Sequence, residues 1–145
     1  MWRGVSLRTM VLLLAGPLLV DLLGSCFLFW MNIGAVRMGI PPRTQMLIGA
    51  IFACGYTIGA HFSGKWVTVA IAPRLVLLSI ILLTIEGTVA LLVPSFYLYL
   101  VLAFLIGLTL SHYFMPFQVM MGDVSPFRTL AWTIAIYTIS WGSGW

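Results

Sequence analysis

Two carboxyl groups stand where charge is expensive. Asp21 lies near the middle of one long apolar stretch, and Glu86 lies about two-thirds along another. A charged side chain at the centre of a bilayer costs about 2.5–3.5 kcal/mol on insertion scales, so each should face a bundle interior or a water-filled cavity. There a carboxyl can pass a proton, hold a polar substrate, or accept hydrogen bonds from a neighbouring helix. For Glu86, flanked by Thr84 and Thr88, the structural hydrogen bond is the favoured reading. For Asp21 both readings stay open.

A second polar cluster, Ser111, His112, Tyr113 and Gln118, falls late in the fourth apolar stretch. Counting residues from the stretch centres puts Asp21 and His112 about 8 Å apart in depth at 1.5 Å per residue. A relay between them would then need a bridging water, and a histidine hydrogen-bonded within the bundle is the simpler reading. His61 and His112 stand alone, without metal-ligand spacing. Cys26 and Cys54 read as small packed hydrophobes. With no Gly-rich phosphate loop and no nucleophile–base pair, the expectation is a non-enzyme that uses neither metal nor cofactor.

The elements that must position these groups are five apolar stretches, about 9–31, 45–63, 75–93, 96–117 and 130–145. A hydrocarbon core of about 30 Å takes about 20 helical residues, and four of the five reach that length. The last, 130–145, would rise only about 24 Å and is expected to be cut short. Hydrophobic residues make up 62% of the 145-residue chain and charged residues only 7%, too few to build a solvated shell. The fold class expected is all-α, a polytopic transmembrane helix bundle forming a single membrane domain. Its net charge of +4 is no nucleic-acid footprint, and the bilayer is the partner that composition demands.

Basic residues orient the spans. With the N-terminus in the cytoplasm, Arg3, Arg8, Lys65, Arg74 and Arg128 lie inside and only Arg37 and Arg43 outside. The reverse arrangement inverts that five-to-two ratio, so the N-terminus is expected inside, in a cell inner or plasma membrane. Arg3 and Arg8 ahead of Met10–Val20, with Leu23-Gly24-Ser25-Cys26 beyond, loosely imitate a cleavable leader. Asp21 interrupts that apolar region and Phe27–Met31 continue it, so the first span is expected to be retained. The connections, 32–44, 64–74 and 118–129, are too short for a soluble domain.

Small residues mark contact faces. Gly55, Gly59 and Ser63 follow one another at four-residue spacing on one helix face, and Gly107 and Ser111 repeat the spacing in the fourth span. Such stripes let backbones approach closely, and packing alone is the plain reading. Gly16-Pro17 and Pro116 are expected to kink or break their helices.

Taken together, the acid in the first span, the small-residue second span, Gly55-Tyr56-Thr57-Ile58-Gly59 leading to Gly64 and then Pro73-Arg74, and the segment Met121–Arg128 resemble the N-terminal portion of a major facilitator superfamily transporter. Gly64 and Arg74 match the ends of the family's cytoplasmic turn motif, with Lys65 beside them. Thr68 and Val69 stand where the family carries Asp and Arg, and Ile71 where it carries Gly. The resemblance implies twelve spans in two halves around a midplane cavity lined by the first and fourth helices of each half. On that basis Asp21, Ser111, His112 and Met115 are candidate substrate or proton-pathway positions. Gly64, Lys65 and Arg74 are candidate gating positions, and Glu86, on a peripheral third helix, is demoted. The chain would then be an incomplete part of a small-solute transporter, finished by C-terminal helices it lacks. The alternatives are a small homo-oligomeric exporter with one acid in its first span, or an accessory membrane subunit.

Overall fold

The computed structural model describes the backbone over residues 7–124 and side chains over 15–122. The apolar stretch 130–145, residues 125–128 and Arg3 lie outside the described residues. Within them the chain is four α-helices and no strand: α1 (Leu7–Arg37), α2 (Pro42–Trp66), α3 (Ala72–Leu92) and α4 (Phe96–Val124). All four are long and apolar enough to cross a bilayer. Lipid offers no hydrogen bonds to the backbone, so a spanning segment must satisfy its own amides, which an α-helix does. The protein is an integral membrane helix bundle.

Helix ends are set by turn chemistry more than by hydropathy. α1 runs past the apolar stretch to Arg37, where Gly39 adopts φ +71°. The Gly39 amide donates to Val36 O at 2.9 Å and the Ile40 amide to Ala35 O at 3.1 Å, the bond pair of a Schellman cap. Gln45 Nε2 then donates to Ile40 O at 2.7 Å and braces the turn. Proline opens the first turn of both α2 and α3, where its missing amide costs nothing. The connections shrink accordingly, to Met38–Pro41, Val67–Ile71 and Val93–Ser95. Neither internal proline breaks its helix: Pro17 and Pro116 lie within α1 and α4 and are fully buried.

α4 is the hub. It packs against all three other helices, most extensively α2 and then α3, whereas α2 and α3 barely touch each other. Burial follows, with 56% of the apolar window of α4 buried against 22–28% in the others. The α2–α4 crossing is the closest. A Cβ on Gly55 would strike the Phe104 carbonyl, and one on Gly107 would strike the Phe52 carbonyl and the Tyr56 amide. Apolar side chains gain nothing by leaving lipid for protein, so close van der Waals contact supplies the attraction here.

α1 lays a seam of Pro17, Asp21, Gly24, Met31 and Ala35 into the bundle. Gly24 lies against Leu110 and Gly34 against Tyr99, so α1 and α4 run antiparallel. Between α1 and α3, the Phe27 ring occupies the space a side chain on Gly87 would need.

Candidate functional site

Asp21 is carried inward by the α1 seam and is 3% exposed. Gly16 faces the Tyr113 hydroxyl and Gly24 faces Leu110, so Asp21 lies in the layer of α4 that holds residues 110–113. His112 is in that same layer. The 8 Å offset expected from stretch centres is therefore corrected: α1 extends well beyond its apolar stretch, so the stretch centre is not a measure of depth. Across the bundle, the Asp21 carboxylate is close enough to Tyr56 of α2 to act on its phenol electrostatically. Asp21 of α1 thus shares its layer with Tyr113 of α4, while Tyr56 of α2 meets α4 nearer Gly107. Tyr113 is itself 3% exposed, its ring stacked on Phe117 at 5.7 Å and edge-on to Phe114 at 5.2 Å.

His112 and Ser111 turn toward their own helix and α2. His112 Nδ1 lies 2.8 Å from Leu108 O, and a carbonyl only accepts, so Nδ1 carries the proton. In the neutral ring Nε2 is then the acceptor. Ser111 Oγ donates to the same carbonyl at 2.7 Å. The His112 ring sits 6.1 Å from that of Trp66 at the end of α2. Ser111 is fully buried against Gly59, whose absent Cβ leaves room for the serine hydroxyl. Among the described residues Ser111 therefore fills a helix contact. Met115 is half-buried and Gln118 exposed.

Glu86 occupies a different contact. It lies on the inner face of α3, with Thr109 Oγ1 of α4 donating to Oε1 at 2.8 Å. Its flanking threonines are spent on backbone, Thr84 on Ile80 O and Thr88 on Thr84 O. Glu86 Oε2 is buried with no hydrogen-bond partner among the described residues, as are Ser25 Oγ and Ser63 Oγ. Thr109 and Tyr56 are the two partners that sequence reasoning missed. Neither spacing nor composition signals them, because both depend on the register between helices.

The positions assigned to a gating turn lie on helices. Gly64 and Lys65 belong to the last turn of α2 and Arg74 to the first turn of α3, leaving Val67–Ile71 as the connection. Pro73 causes this by starting α3 earlier than the apolar run does. Lys65 and Arg74 are exposed, the former with Nζ 6.0 Å from the Phe62 ring. Cys26 and Cys54 are also exposed on their helices, which corrects their reading as packed core residues. Both sit off the buried seams of α1 and α2. No group of three or more metal-ligating side chains converges among the described residues.

No protein-family model, curated protein or solved structure matches this chain.

Proposed function

We propose that this chain takes part in moving a small solute across a membrane, as the leading helices of a transporter of the major facilitator type, with its N-terminus in the cytoplasm. The observation that carries the reading is Asp21, nearly fully buried where α1 packs against α4. A carboxyl at that depth is a functional position by default, since the bundle bears its insertion cost. A proton site on α1 beside α4 supports a pathway along those two helices. Further helices would close the far side of that pathway and supply the remaining substrate contacts.

Proton-coupled uptake into proteoliposomes, followed with an enclosed pH dye against a panel of sugars, organic anions and hydrophobic cations, tests the site. Asp21→Asn is expected to abolish coupled flux, and flux that survives it would favour an accessory role. The intact mass of the native product separates the transporter readings. A mass of about 40–50 kDa fits twelve spans with short connections. One near 16.0 kDa would instead favour the small homo-oligomeric exporter, which a bundle of four spanning helices with an acid in the first also fits. For orientation, Met38→Cys and Thr68→Cys are compared in a background lacking Cys26 and Cys54. A membrane-impermeant thiol reagent is expected to label position 38 from outside and position 68 only after permeabilisation.

A further inference from the structure

The geometry points to a phosphate-binding pocket at the membrane–water boundary, where the end of α1 meets the α3–α4 turn. A cavity of about 270 Å³ lies there, lined by Trp30, Gly34, Arg37, Pro94 and Tyr99 among others. All of these residues lie near helix ends, at the level where a span passes into the headgroup region. Arg37 supplies the charge. Its guanidinium carbon lies 5.8 Å from the centre of the Trp30 ring, an arrangement that restrains the side chain.

The described residues offer Arg37 no counter-anion. The three acidic residues of the chain are Asp21, Glu86 and Asp123. Asp21 lies about 24 Å back along the same helix at 1.5 Å per residue. Glu86 is bonded to Thr109, and Asp123 closes the far end of α4. Arg37 is exposed and has no acidic partner among the described residues, so its guanidinium is open to an anion from outside the chain. A guanidinium presents a planar fork of donors that matches a phosphate, whereas a point charge would not select one.

Size and lining narrow the occupant. Drug-sized ligands take pockets of about 300–1,000 Å³, so a volume just below that range suits a smaller group such as a phosphate with a glycerol-sized appendage. Apolar walls suit the glycerol and upper acyl carbons of a lipid. A zwitterionic headgroup pairs its phosphate with its own ammonium, so a lipid of net negative charge is the better partner for Arg37. The site selects an anionic phosphate group, supplied by a phospholipid or by a soluble phosphate.

The full chain is placed in bilayers of mixed phosphatidylcholine and phosphatidylglycerol, released into detergent, and the retained lipids are counted by native mass spectrometry. Phosphatidylglycerol is expected to be retained about fivefold over phosphatidylcholine, the scale of one basic side chain at an anionic surface. Arg37→Gln removes the preference and Arg37→Lys keeps part of it. Arg43→Gln deletes the same charge from the same end of the bundle, outside the cavity, and leaves the preference intact. Inorganic phosphate offered to delipidated protein separates the sources. Lipid retention without phosphate binding assigns the site to a headgroup, and phosphate that binds and displaces the lipid assigns it to soluble anions as well. Equal loss in Arg37→Gln and Arg43→Gln, or no preference in the unaltered chain, overturns the pocket and leaves only diffuse surface charge.

Discussion

The α2–α4 and α3–α4 contacts hold the same central helix by opposite means. Along α2 the contact is close to backbone against backbone, with Gly55 and Gly107 giving up their side chains so that carbonyls can approach and Gly59 making room for the Ser111 hydroxyl. Along α3 the helices meet through side chains, and Thr109 donates across the gap to Glu86. The first contact tolerates no added atom, while the second rests on one donated hydrogen bond and leaves Glu86 Oε2 without a partner among the described residues. Water exclusion stabilises neither one in lipid, so shape must hold the first and hydrogen bonding the second. The difference in energy should be visible. Overpacking costs about 1–3 kcal/mol and sometimes more, whereas a hydrogen bond between membrane helices averages about 0.6 kcal/mol.

The strongest way to break the comparison is Gly107→Leu, which drives a branched side chain into the Phe52 carbonyl. Stability measured by denaturing-detergent titration in bicelles is expected to fall by about 3 kcal/mol or more. Gly59→Ala should cost less, about 2 kcal/mol, because its obstacle is a hydroxyl and not backbone. Adding Ser111→Ala removes that hydroxyl and should return about 1 kcal/mol, seen as coupling in a double-mutant cycle. Additive losses would show that the two residues do not share the space. At the polar contact, Thr109→Val is expected to cost about 0.6 kcal/mol, with an upper bound of about 1.7. In a background of Glu86→Leu the same change should cost nothing, because the acceptor is gone. A last effect, of similar size, sharpens the contrast by changing sign. Gly49 has open space around its missing Cβ, so Gly49→Ala should stabilise α2 by about 0.5–1 kcal/mol.

What sequence could disclose here was internal to each helix. Gly55, Gly59 and Ser63 lie one turn apart whatever surrounds them, so their shared face can be read from spacing alone. That Gly59 meets Ser111, or that Glu86 meets Thr109, depends on how far one helix slides along another. No residue in either helix encodes that offset by itself. Helix ends were obscured for a different reason. Hydropathy marks where lipid ends, yet α1 continues until the Gly39 cap and α3 begins at Ala72 with Pro73 in its first turn, both set by local backbone chemistry. The same blindness misjudged the depth of Asp21 relative to His112. Its burial was foreseeable from cost alone, but the approach of Tyr56 from α2 was not.

The central position of α4 also orders events in time. When synthesis has reached only Leu92, α1, α2 and α3 can each enter the bilayer, but α2 and α3 barely contact each other and both lack their main neighbour. Until α4 arrives, the glycine face of α2 meets lipid chains and Glu86 has no Thr109 to donate to it. Consolidation therefore waits for the fourth helix and then engages both contacts together. In the cell this makes the interval between the third and fourth insertions the period in which an unfinished bundle is most exposed to capture by chaperones and membrane proteases.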